Sequence, residues 1–111
     1  MPIYEIAISH QGKEYRDSVE GIRVTVAGFK GCTFFVHRSY GRMPGWTVSE
    51  AQTGKALYTD INRAACIAYA KIALAEMGVE SFLEQRSKHP NIESLPAVEG
   101  ETVLTAANGE R

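Results

Sequence analysis

No stretch of this 111-residue chain approaches the roughly 18 consecutive apolar residues that a membrane-crossing helix needs, so no contact with a membrane is expected. Cysteine is scarce. Cys32 and Cys66 are far apart and have no second Cys or His at metal-ligand spacing, so the pattern suits two small buried thiols, with neither a disulfide framework nor a zinc site. Neither a GxGxxG run nor a P-loop occurs, and no cofactor is expected. The opening residues Met1-Pro2-Ile3-Tyr4-Glu5 lack the basic start and long apolar core of a secretory leader, so a cytoplasmic location is expected. Histidines 10, 37 and 89 are scattered. Cys32 and His37 stand an odd number of residues apart on one strand and so point to opposite faces, whereas a nucleophile and its base must share hydrogen-bond reach. Glu76, Glu80 and Glu84 lie at helical spacing, as on a solvated helix face. The expectation is a protein that is not an enzyme.

What is present is enough for one folded domain, since 44% of the residues are apolar. The net charge of −1 is unevenly spread. Residues 21–75 carry seven basic residues and two acidic ones, whereas residues 1–20 and 76–111 are both acidic on balance. A basic body of this kind attracts phosphate, although the overall pI of about 6.3 is low for a dedicated nucleic-acid binder.

The most legible stretch runs from Trp46 to Met77. Trp46, Val48 and Glu50 alternate with Thr47 and Ser49, the cluster Ala51-Gln52-Thr53-Gly54 suits a tight turn, and the alternation resumes from Ala56 to Thr59. Thr59 and Asp60 are candidate N-caps. No Gly or Pro interrupts the chain from there to Met77, and Gly78 offers a left-handed cap. A helix over 60–77 is therefore expected. Its sheet-facing side is read from the recurrence of Ile61, Ala65, Ala68, Ile72 and Ala75, so that Ile72→Asp should unfold the protein.

Upstream, Pro2–Ser9 alternates as a first strand with Ile6 and Ile8 inward. His10–Lys13 makes a turn, and Glu14–Gly21 reads equally as a short strand or a loop. Ile22–Phe29 reads as a strand, Gly28–Gly31 as a turn, and Cys32–Arg38 as a central strand because it is aromatic on both faces. Downstream, Ser81 and Glu84 have capping-box spacing for a short helix over 82–88 that tucks Phe82 and Leu83 under the first helix, and Pro90 ends it. Residues 90–111 contain two prolines, two glycines and four glutamates, and are expected to form an acidic tail, largely mobile in isolation. Thr102–Leu104 is a candidate edge strand within it. The fold class expected is α+β. It comprises an antiparallel meander of four or five strands with one long helix on one face and a short second helix, as a domain over 1–89 followed by the tail over 90–111.

The order of strands leading into RAACIAYAKIALAEM resembles the last part of a double-stranded RNA-binding domain, over about a third of the chain. That family grips phosphates with lysines at the start of its helix. The matching positions here are Asp60, Ile61, Asn62 and Arg63, so Arg63 alone carries the charge and the likeness implies a shared packing solution. In size and overall character the chain is similar to the small accessory proteins of phages and mobile elements, the anti-CRISPR proteins among them. That resemblance implies action by surface charge and shape on a large host complex.

The connection Ser39–Gly45 is long for a hairpin and holds Tyr40, Arg42 and Met43, residue types enriched at interface centres. The leading expectation is a non-enzymatic binding protein, an inhibitor of a host protein or ribonucleoprotein complex that handles nucleic acid, contacting it through Arg38, Tyr40, Arg42, Met43 and Lys55. A second reading is direct nucleic-acid binding through Arg23, Lys30, Arg38 and Arg63. A third is self-association, as a homodimer, through an uncovered sheet face.

Overall fold

The computed structural model describes residues 1–41 and 43–98. Five strands form one antiparallel sheet in sequence order: β1 (Ile3–His10), β2 (Lys13–Val24), β3 (Phe34–Arg38), β4 (Trp46–Glu50) and β5 (Ala56–Asp60). Helices α1 (Arg63–Met77) and α2 (Val79–Ser87) follow, then a short 3-10 turn, Ile92–Ser94. The fold is α+β.

The ambiguous segment 14–21 is strand. With Gln11 and Gly12 both at positive φ, the tight turn between β1 and β2 lets every residue from Lys13 to Glu20 pair with β1. β2 then changes partner and pairs with β3 from Gly21 to Val24. This change of partner along one strand accompanies the curl of the sheet. At the switch, a Cβ on Gly21 would sit 3.0 Å from Cδ2 of Phe35 and 3.2 Å from Cδ2 of Tyr4, so only glycine lets these two rings approach. They stack at 4.2 Å between centroids. The strand expected to reach Phe29 ends at Val24, and residues 25–33 form a connection anchored by the buried Phe29.

The curl brings β1 back to the far turn of the β4–β5 hairpin, where the Ala7 N–H donates to the Gly54 carbonyl at 3.0 Å. Gly54 is at φ +69°, and a Cβ there would meet the Ala7 nitrogen at 2.5 Å. The segment after α2 continues this closure. Ile92 is buried, its N–H donates to the Gln52 carbonyl, and Pro96 and Val98 bond to the main chain of Arg16 on β2. Residues 90–98, read from composition as the start of a tail, thus lie against the sheet. Thr102–Leu104 falls outside the described residues.

Both faces of β3 are buried. On one face, Phe34, Val36 and Val48 pack with Val24, Phe29, Cys66, Ala70, Leu74 and Phe82 under the two helices. Each of the larger side chains contributes about 1.5–3 kcal/mol by burial. On the other face, Phe35 stacks on Tyr4 of β1, and His37, Thr47 and Ser49 are buried as well.

The helix begins later than expected, with Asn62 as N-cap accepting from the Ala65 N–H, and it turns a different side to the sheet. Cys66, Ala70 and Leu74 face inward, while Ile61 and Ile72 are 69% and 52% exposed. Apolar residues surround this alanine-rich helix, so spacing alone does not choose a side. The narrow Cys66 and Ala70 permit the close approach that the isoleucine side does not. Gly78, at φ +85°, ends α1, its N–H bonding the Leu74 carbonyl, and α2 starts at once. Phe82 enters the core as expected, but Leu83 is 40% exposed because it lies on the outer side of α2.

Candidate partner-binding groove

β3 pairs with β4 so that Arg38 stands directly opposite Trp46, and β4 pairs with β5 so that Trp46 stands opposite Asp60. The chain then turns through Ile61 and Asn62 into α1, whose first residue is Arg63. The result is one indole with two guanidinium groups close to it, Arg38 at 4.8 Å and Arg63 at 5.3 Å from the ring. Interactions of this type are worth about 0.5–1 kcal/mol each at exposed sites. Among the described residues, neither guanidinium has a carboxylate within ion-pair distance.

This cluster forms one wall of a groove of about 580 Å³. Ile22, 41% exposed, and Val36 lie along its apolar part, with Met1 at its margin. Residues 17–21 of β2, including Asp17 and Glu20, also line the groove.

Tyr40 spans the groove's end. Its hydroxyl donates to Oδ2 of Asp17 at 2.6 Å, while Oδ1 of Asp17 accepts the Ser18 N–H at 2.8 Å. Burial, and then the hydrogen bond and negative charge of Asp17, push the phenol well above its ordinary pKa. Tyr40 therefore stays protonated and tethers the 39–45 loop to β2. The loop is closed at its base by the Ser39 N–H donating to the Gly45 carbonyl at 3.0 Å.

Among the residues singled out from the sequence, the structure brings Arg38, Tyr40 and Arg63 together in this groove. Met43 lies in the same loop, 63% exposed. Arg42 is outside the described residues. Lys55 sits at the opposite end of the β4–β5 hairpin, paired with Glu14 at 2.6 Å. Arg23 lies opposite Phe35 in the ladder, and Lys30 lies in the connection before β3, at the other end of that strand from Arg38. Sequence reasoning did not find Trp46, Ile22 or Asp17 as members of the site. Their meeting depends on strand register and on the partner switch at Gly21, neither of which is a local pattern.

Beneath the opposite face of the sheet, His37 is buried between Arg38 and Ser49. Its Nδ1 lies 2.8 Å from the Arg38 carbonyl, which can only accept, so Nδ1 carries the proton and Nε2 accepts from the Ser49 hydroxyl at 2.9 Å. Burial lowers the imidazole pKa, and the bond to the Arg38 carbonyl works against this. Cys66 Sγ–H points to the carbonyls of Trp46 and Tyr58, and burial raises its pKa. Cys32 lies on the helix side of the sheet, away from His37, with its sulfur 3.9 Å from Arg86. No cluster of three or more His, Cys, Asp or Glu side chains suited to a metal ion occurs among the described residues, and no helix there is long and apolar enough to cross a membrane.

Comparison of the chain with protein-family models, with characterised proteins and with solved structures finds no match.

Proposed function

We propose that this chain is a non-enzymatic binding protein that engages a macromolecular partner through the Trp46 groove. The observation that carries the reading is the convergence of Trp46, Arg38, Arg63 and Tyr40 around one partly apolar depression. Trp, Tyr and Arg dominate binding energy at protein interfaces. Here they are held by strand register and by the Tyr40–Asp17 tether, so little ordering is needed on association. The resemblance to phage and mobile-element accessory proteins makes the partner, on this reading, a host complex that handles nucleic acid, and the action inhibition by occlusion in the anti-CRISPR manner.

The test is recovery of a partner complex by the tagged chain, compared with its Arg38→Glu/Arg63→Glu variant after confirming that the variant melts normally. A nuclease-resistant complex that the variant loses is expected. Equal recovery by both chains overturns the site.

Self-association draws support from a different surface, the outer side of α1 and the turn before it, where Tyr69 and Ile72 on the helix and Ile61 in the turn are all at least half exposed. Sedimentation of the wild type against Ile72→Asp separates the two readings, since a dimer through α1 dissociates in the variant. Direct nucleic-acid binding draws on Arg38 and Arg63, but Arg23 and Lys30 lie at the other end of β3 and do not extend that surface.

A further inference from the structure

We propose that the groove recognises an extended peptide segment in which a bulky apolar side chain is flanked by carboxylates. This rests on the groove being the partner-binding site and states the chemistry of the segment it takes.

Two observations define that chemistry. The first is the pair of arginines. Arg38 and Arg63 are both exposed, both lie within about 5 Å of the same indole, and both lack a carboxylate partner among the described residues. Among the described residues, three other cations hold an acidic side chain: Arg16 pairs with Glu5, Lys55 with Glu14 and Arg86 with Glu50. A guanidinium held against an aromatic ring keeps its edge donors free, and those donors match a carboxylate in a two-point geometry. The second is the apolar patch beside them. Ile22 is 41% exposed, pairs with Val36 in the ladder, and lines the groove together with Val36, Trp46 and Met1. One bulky side chain set there covers the patch while an adjacent carboxylate reaches the arginines.

The acidic part of the lining decides between a peptide and a phosphate chain. Asp17 and Glu20 of β2 line the same groove as the arginines. The oxygens of Asp17 already accept from the Tyr40 hydroxyl and the Ser18 N–H. A polyanionic backbone running along the groove would bring phosphates near these carboxylates as well as near the arginines. A peptide presents its negative charge only where the arginines are and turns neutral main chain toward β2.

Trp46 is the only tryptophan in the chain, so its fluorescence reports the groove directly. The probe is a nine-residue peptide with a central leucine flanked by glutamates, titrated against the full-length protein. The controls are the same peptide with lysine for glutamate, the same peptide with serine for leucine, and a ten-nucleotide oligothymidine. Saturable change with the acidic peptide is expected, and it should weaken about tenfold or more with either peptide control and in Arg38→Gln or Arg63→Gln, the loss of one charge-assisted contact. Arg38→Lys, which keeps the charge without the fork, should fall between. Equal response to the acidic and basic peptides overturns the proposal, as does oligothymidine binding more tightly than the acidic peptide. Either result leaves the groove assignment itself to be judged by the capture experiment with Arg38→Glu/Arg63→Glu.

Discussion

The carboxylate of Glu50, at the end of β4, lies 3.2 Å from the guanidinium of Arg86 on α2, with Glu50 only 2% exposed. The same carboxylate accepts the N–H groups of Gln52 and Thr53 and the Thr53 hydroxyl. One buried charge thus shapes the β4–β5 turn and ties the second helix to the sheet. Arg86→Met leaves that charge without its cation and should cost about 3–5 kcal/mol. Adding Glu50→Gln should recover part of the loss, because the group left behind is then neutral. Chemical denaturation of the two single variants and the double variant measures this, and purely additive losses would show that the pair is not coupled.

The buried side of α1 gives a sharper contrast. Leu74→Ala should cost about 2–5 kcal/mol through the cavity it opens between α1 and the sheet. Ile72→Asp, on the outer side, should cost about 1 kcal/mol or less. The midpoints of urea unfolding test both. Unfolding by Ile72→Asp and tolerance of Leu74→Ala would restore the helix face expected from sequence periodicity.

Those two residues show what the sequence could and could not convey. Alternation in Pro2–Ser9 and Trp46–Glu50, together with glycine in the turns, was enough to place four of the five strands approximately. The run without Gly or Pro before Gly78 placed α1. The inward face of α1 was not legible, since isoleucine and alanine sit on the outer side at the same spacing as cysteine, alanine and leucine on the inner one. The strand 14–21 was ambiguous because its side chains are mostly polar and its pairing with β1 comes from the tight turn at Gln11-Gly12. Of the candidate site, loop 39–45 could be read from composition. The Arg38–Trp46–Arg63 cluster could not, because it requires the β3–β4 register and the entry point of α1 together.

Gly21 carries the curl of the sheet. Gly21→Ala places a methyl group 3.0 Å from the Phe35 ring and 3.1 Å from the Val36 carbonyl, and should cost about 1–3 kcal/mol. Loss of the Tyr4–Phe35 stack should accompany it, visible as sharper near-ultraviolet change than far-ultraviolet change in circular dichroism. Unaltered stability would mean that β2 bends elsewhere.

His37 makes stability depend on pH. Its folded pKa lies below the ordinary 6.5, so below pH 6.5 the unfolded chain binds the proton more readily than the folded one. The contribution of the neutral imidazole is fully present above pH 6.5 and is lost as pH falls through the folded value. The melting temperature should therefore drop on acidification from neutral pH, and less steeply in His37→Gln, which removes the titrating group. Parallel profiles for the two proteins would exclude His37 as the source.

The most direct test of the central claim is the emission of Trp46 in the presence of the captured partner complex, measured for the wild type and for Arg38→Glu/Arg63→Glu. A partner seated in the groove should shift and saturate the wild-type signal, and should leave the folded variant unchanged at the same concentrations. Capture of the partner with no change in Trp46 emission, or equal changes in both proteins, would contradict the groove as the binding site.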